Sequence, residues 1–424
     1  MARPRRLFPV LILLLTLPIV AWGQQIEKSD DGYTARVTKT FSVASGGQLN
    51  LDATNGSITV SGGDRSEVVV NEKIRFEDSS REDVSEYLNE HPTVYEASDG
   101  TVRIRGPERN NGGWWDGPGV DVEYSYTVKL PRQFNANVET SGGSLTVTDL
   151  NGRVQGKTAG GSVTARRITG DVQVETAGGS LTLEELDGAV QGKTAGGSID
   201  VSTVSGPLNV RTAGGSIRIT DVGNNVSAKT AGGSIRVTSV EGSVDARTSG
   251  GDVIVESVSK SVDAKTAGGD IELRDLGARV TAETSGGDVE GVNLRGRVEA
   301  RTSAGDVDLR NVSAPVRAET SVGDVDVELT ASDLTADPVL DLTTSHGDIH
   351  VALPTGLQAS IRAEVDGFGR GPADDEIRSD VPLTREGGDG DPLRATGEMN
   401  GGGPSILLET TGGSIRIRTR ENGS

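Results

Sequence analysis

The sequence specifies an all-β chain folded as a parallel β-solenoid, and three observations carry that expectation. The string Thr-(Ala/Ser)-Gly-Gly-(Ser/Asp)-aliphatic begins at Thr140 and recurs at Thr158, Thr176, Thr194, Thr212, Thr230, Thr248, Thr266, Thr284, Thr302 and Thr320, always at an interval of 18 residues, with Ala304 and Val322 replacing the first Gly in the last two copies. Between strings, apolar and polar residues alternate, which is the period of a strand rather than of a helix. Phe134 and Phe368 bracket 233 consecutive residues without Phe, Tyr or Trp, as a core too narrow for rings would require.

Composition is consistent with that core. Over 424 residues the hydrophobic fraction is 33% and 59 residues are Gly, so small and aliphatic side chains must fill the interior. The net charge of −20 removes the overall positive field that a nucleic-acid binder needs, so nucleic acid is not expected as a partner. Cysteine is absent, which excludes disulfides, thiolate metal sites, thiol nucleophiles and a lipidated cysteine anchor.

The elements follow in chain order. Arg3, Arg5 and Arg6 precede an apolar run from Leu7 to Val20 and the small residues of Ala21-Trp22-Gly23, so residues 1–23 read as a secretory signal peptide, with an uncleaved anchor as the alternative. Export to the periplasm, the cell surface or the medium is expected, with no transmembrane span in the mature chain. Residues 24–134 read as N-terminal strands and a cap. Phe41, Leu49, Leu51, Ile58 and Val60 begin coil-like strands, the Gly- and Pro-free run from Ser80 to Leu88 forms a short surface helix, and Tyr124, Tyr126, Val128 and Leu130 alternate into the array.

Residues 135–330 are the regular solenoid. In the copy from Thr230 to Arg247, residues 235, 237, 240, 244 and 246 point inward, Gly-Gly marks one corner, and a second corner falls near Glu241-Gly242. Ile217, Ile235, Val253 and Ile271 form one column, and Val226, Val244, Val262 and Val280 another. One coil cannot bury its aliphatic face alone, so coils stack at about 4.8 Å, with a right-handed winding expected. A left-handed hexapeptide helix shares the 18-residue coil but needs aliphatics six apart; an antiparallel meander needs no constant length. Residues 331–424 read as C-terminal coils and a cap, with Gly367 to Gly403 as an acidic Gly- and Pro-rich loop or excursion.

A specific resemblance follows from these motifs. The opening Asn55-Gly56-Ser57-Ile58-Thr59-Val60, the Leu130-Pro131 lead into Thr140-Ser141-Gly142-Gly143-Ser144-Leu145, the Thr-Ala-Gly-Gly-Ser ladder, and the approach from Asn400-Gly401-Gly402-Gly403-Pro404 to Thr411-Gly412-Gly413-Ser414-Ile415 together resemble the bacterial "putative adhesin" family. That resemblance implies an exported cell-envelope β-solenoid of otherwise unknown function, and it supplies no catalytic residues to carry over.

Candidate sites are few. After Gly-Gly the residue is Ser from Ser144 to Ser234 and then Asp at Asp252, Asp270, Asp288, Asp306 and Asp324. This acidic ladder reads either as a row of weak Ca²⁺ sites or as carboxylates that cap turn amides as the serines do. Ca²⁺ takes roughly six to eight oxygen ligands, and the repeat lacks the nonapeptide Ca²⁺ pattern, which favours the capping reading. His346, Asp348 and His350 would share one strand face and offer a sparse metal site. Trp114 and Trp115, in a Gly-rich loop, either insert into a partner or seal the cap. Charge is polarised along the chain: residues 141–240 hold 8 acids and 9 bases, whereas residues 241–330 hold 18 and 10.

An enzyme is not expected. No His or Cys falls between Thr140 and Thr320, no copy carries an insertion that would build a cleft, and neither a Gly-x-Ser-x-Gly elbow nor a P-loop occurs. No cofactor is implied beyond the Ca²⁺ question. The function expected is a non-enzymatic envelope or surface scaffold, of adhesin or interaction type, whose partner is a surface protein or glycan. Self-assembly into an envelope structure is the first alternative, and a polysaccharide-active β-helix enzyme the second.

Overall fold

The computed structural model describes residues 24–29, 32–107, 121–366, 376–388 and 391–421. Each 18-residue copy forms one coil of two strands. In the copy that starts at Thr230, Ile235–Val240 joins a long-strand sheet and Val244–Arg247 a short-strand sheet. Equivalent strands pair in parallel and in register: Ile217, Ile235, Val253 and Ile271 are successive Cα partners in the long sheet. In the short sheet the same holds for Val226, Val244, Val262 and Val280. Ile235, Val237, Val240, Val244 and Ala246 all face the other sheet and are at most 2% exposed. The chain is a β-solenoid, as the period implies, with one aliphatic core running its length.

The Thr and the second Gly of each string hold neighbouring coils together. The Thr212 hydroxyl donates to the carbonyl of Gly197, one coil back, at 2.8 Å, and accepts from the Gly215 amide at 3.3 Å. The same donation runs from Thr140 onto Gly56 and from Thr320 onto Gly305. Burying a hydroxyl is tolerable only because both of its capacities are used. The second glycine lies directly against the backbone of the coil before it, where a Cβ on Gly215 would overlap the Gly197 carbonyl. A Cβ on the first glycine of that pair, Gly214, would stand 3.4 Å from the nearest backbone oxygen. This asymmetry explains why Ala304, Val322 and His346 replace the first glycine while Gly305, Gly323 and Gly347 keep the second.

The long strand contains a bend that the sequence pattern partly conceals. Asp149, Arg167, Glu185, Thr203, Asp221, Ser239, Ser257, Asp275, Asn293 and Asn311, one per coil, all have φ between 52° and 62°. At this left-handed residue the alternation slips by one, so that Thr238 and Ser239 both face outward before Val240 turns in. Ser and Thr rarely adopt φ > 0, so the stacked neighbours must hold it.

At both ends the coils are out of chain order. The strand Ser57–Gly63 pairs on one side with Asp121–Pro131 and on the other with Leu145–Asn151. In the short sheet Gly47–Ala53 lies between Thr101–Arg105 and Phe134–Thr140. Tyr124, Tyr126, Val128 and Leu130 are thus buried in an outer coil beyond the first one, not in a lead directly onto the array. The far end repeats the arrangement: Ser405–Thr410 lies between Leu340–His346 and Ala359–Val365. Likewise Ile415–Arg420 lies between Ile349–Pro354 and Ile377–Ser379.

Antiparallel strands then close the stack. Glu67–Glu77 runs antiparallel to Asp121–Pro131, Gly32–Ser42 to Glu67–Glu77, and Gln24–Ser29 to Gly32–Ser42. Phe41, expected to begin a coil, belongs to this antiparallel layer because residues 32–42 pair along their whole length with residues 67–77. One helix among the described residues, Arg81–Glu90, occupies the expected position; Ser80 caps it, accepting from the Asp83 amide while Asp83 accepts from the Ser80 amide. Beneath this cap Glu72, 3% exposed, accepts from the Thr93 and Tyr95 hydroxyls at 2.5 Å each, and burial together with this carboxylate pushes the Tyr95 phenol up. At the other end, residues 391–399 are not loop as read from their Gly- and Pro-rich sequence. Asp391–Met399 pairs antiparallel with Ala359–Val365 and with Thr384–Gly388, because Leu393, Ala395 and Met399 supply an inward face.

Candidate functional site

The Gly-Gly-Ser/Asp corner makes a continuous ladder, and its hydrogen bonds define what the ladder side chains do. Ladder side chains accept from the backbone amide of their counterpart one coil on: Ser162 from Ser180 at 3.2 Å, Ser234 from Asp252 at 3.1 Å, and Asp252 from Asp270 at 3.1 Å. Asp270 and Asp288 continue the chain at 2.9 and 2.8 Å, and Asp306 at 2.8 Å. Asp324 then caps Asp348, and Asp348 caps the amide of Ser414, both at 2.7 Å. One oxygen of every ladder carboxylate is therefore engaged by backbone, in the position where a serine hydroxyl serves the earlier coils.

His346, Asp348 and His350 are not on one strand. His346 closes Leu340–His346 in the short sheet, Asp348 lies in the corner, and His350 is the second residue of Ile349–Pro354 in the long sheet. The Gly347 corner separates them; it is the second glycine of its string and lies against the Gly323 carbonyl of the coil before. His350 instead meets Asp326 of the preceding coil, Nδ1 to Oδ1 at 2.8 Å. Burial raises the Asp326 carboxyl, partly opposed by His350. Around this pair a hollow of about 430 Å³ on the long sheet gathers Asp308, Arg310, Glu328, Arg416 and Arg418. Among the described residues no three His, Cys, Asp or Glu side chains converge as a metal site. Trp114 and Trp115, and the signal segment 1–23, lie outside the described residues.

The surface that the sequence reading passed over is the outer face of the short sheet. Strands of four residues leave two outward positions per coil. The first forms a column in register: Asn137, Gln155, Gln173, Gln191, Asn209 and Ser227, continuing into Asp245 and Asp263. The second column, beside it, runs Lys193, Arg211, Lys229, Arg247 and Lys265. Between the columns and the second corner lies a groove of about 890 Å³ that includes Gln191, Asn209, Ser227, Asp245 and the short corner residues Ala189 and Ser243. A smaller hollow of about 320 Å³ continues the face near Gln48, Asn137 and Gln155.

The bases are unequally satisfied. Lys193 pairs with Glu175 at 3.0 Å, Lys229 with Asp245 at 3.3 Å, Arg247 with Asp263 at 2.6 Å, and Lys265 with Glu283 at 2.7 Å. Arg211 has no carboxylate partner among the described residues. The signal for this face was present in the sequence, as polar residues one before and one after the second inward position of each short strand, but its chemistry emerges only when the copies are stacked.

Comparison with known proteins places this architecture. A family model described as Toastrack DUF4097 matches residues 66–352. No curated protein matches the chain. Among solved structures, a putative cell adhesion protein from Clostridium sporogenes is 10% identical, covering 90% of this chain and 99% of its own, with a TM-score of 0.18. A putative lipid binding protein from Parabacteroides distasonis is 15% identical, covering 68% and 96%, with a TM-score of 0.21. A putative adhesin from Bacteroides fragilis is 12% identical, covering 69% and 96%, with a TM-score of 0.21. These overlays are too loose to carry an argument. Among the described residues no helix is long and apolar enough to cross a membrane.

Proposed function

Since this chain belongs to the Toastrack DUF4097 family, we propose that it is a non-enzymatic surface or envelope rod that makes its contacts through the polar outer faces of its two sheets. The adhesin-type resemblance read from the sequence agrees with that family. The observation that carries the proposal is the in-register stacking itself. It repeats each outward side chain once per coil and so turns single polar residues into columns, a geometry suited to long or repetitive partners. Catalytic β-helices need a cleft walled by unequal turns, whereas the corners here keep one length from Thr140 to Thr320.

Export and surface display are part of the same reading, supported by the basic and apolar segment at residues 1–23. The proposal is tested by treating intact cells with an external protease and by comparing the adhesion of wild-type and deletion strains. Digestion of the protein on intact cells together with reduced adhesion supports it. Complete protection, or adhesion unchanged by deletion, overturns it.

A further inference from the structure

We propose that the short-sheet face binds an extended, 1,4-linked acidic polysaccharide, laid along the solenoid axis from Asn137 to about Ser227. This deepens the surface-rod reading and rests on it. Asn137, Gln155, Gln173, Gln191 and Asn209 are exposed, stand one above another, and have no side-chain partner among the described residues. An amide offers both donors and an acceptor, the combination that a sugar hydroxyl, itself donor and acceptor, can satisfy. Amide ladders in tightly stacked strands can also bond to one another, but these do not.

The period selects the kind of polymer. Coils recur at about 4.8 Å, whereas an extended peptide presents a given face only every ~6.6 Å, so a polypeptide along the axis would fall out of step within a few coils. A chain of β-1,4-linked pyranoses advances by close to one coil spacing per sugar with alternate sugars turned over, so equivalent edges recur about every second coil and stay in step over the roughly 24 Å from Asn137 to Ser227. Charge selects the kind of sugar. Arg211, beside Asn209 and between Lys193 and Lys229, presents a guanidinium free to take a carboxylate in fork geometry. Residues 141–240 carry 8 acids against 9 bases, while residues 241–330 carry 18 against 10. The column itself changes from amide to carboxylate at Asp245, so a polyanion is accepted on the early coils and repelled beyond them. The described face has no aromatic platform, so binding must come from hydrogen bonds and charge summed over several coils and should weaken with salt.

The test is titration calorimetry of the full chain with poly-β-1,4-mannuronate, alongside a neutral β-1,4-glucan oligosaccharide and single-stranded DNA. Saturable binding of the polyuronate, with Arg211→Gln and the double variant Gln191→Ala/Asn209→Ala each weakened at least about tenfold and Arg236→Gln on the long sheet unchanged, supports the site. Thermal melting of each variant ensures that lost binding is not lost folding. No polyuronate binding, equal binding of the neutral glucan or of DNA, or undiminished binding by both short-sheet variants overturns it. If the protein is protease-accessible on cells and supports adhesion while the polyuronate fails, only this inference falls. Complete protection from protease removes the surface reading whatever the titration gives.

Discussion

Gly214 and Gly215 are adjacent in one corner, yet only one of them is required to be glycine. A methyl group on Gly214 meets its nearest backbone oxygen at 3.4 Å, an ordinary van der Waals contact, so Gly214→Ala should leave the unfolding free energy within about 0.5 kcal/mol of wild type. Gly215→Ala forces two backbones apart and should cost about 3 kcal/mol, measured by urea unfolding. Thr212→Val keeps the shape but leaves the Gly197 carbonyl and the Gly215 amide without the hydroxyl between them, an expected loss of roughly 1–3 kcal/mol. The sequence displayed the importance of both residue types through their repetition. It could not show that the threonine bonds the coil before its own, because that contact spans 15 residues and depends on the stacking.

A column rather than a residue is the unit at the next scale up. Ten residues hold left-handed backbone once per coil, and none is Gly. Thr203, β-branched at φ 56°, is the least suited, so Thr203→Asn should raise the melting temperature and add about 1 kcal/mol. The clue available beforehand was a pair of successive outward residues such as Thr238-Ser239, but without glycine it reads as a loose strand end, not as a fixed bend. The Ser/Asp column was legible in the opposite way: the substitution of Asp for Ser stood out, and its chemistry was open. Because one oxygen of each ladder carboxylate accepts the next coil's amide, adding chelator is expected to leave the melting temperature unchanged. A drop on chelation would assign the ladder to cation binding.

Over the whole molecule, the sequence made the middle legible and left the ends obscure. Between Leu145 and Arg301 the 18-residue period dictates which strand meets which. At the ends, 47–63 on one hand and 101–105 with 121–131 on the other carry coil-like alternation, and nothing local says which lies outside the other. The antiparallel layers offer no matching coil to a second molecule, so micrographs of concentrated protein should show single short particles; filaments would restore the self-assembling alternative. Deleting residues 405–421 removes a layer from inside the stack, so the deletion should increase amide hydrogen exchange across residues 359–399 far more than loss of an outermost strand would. The two out-of-order ends also differ in timing. When the chain emerges from its N-terminal side, the coil at 47–63 can collect a neighbour on either flank as each is made. At the far end, the strands 359–365 and 377–379 are made before the 405–420 segment that must lie beneath them, so that outer layer has to wait, undocked, until its inner neighbour arrives.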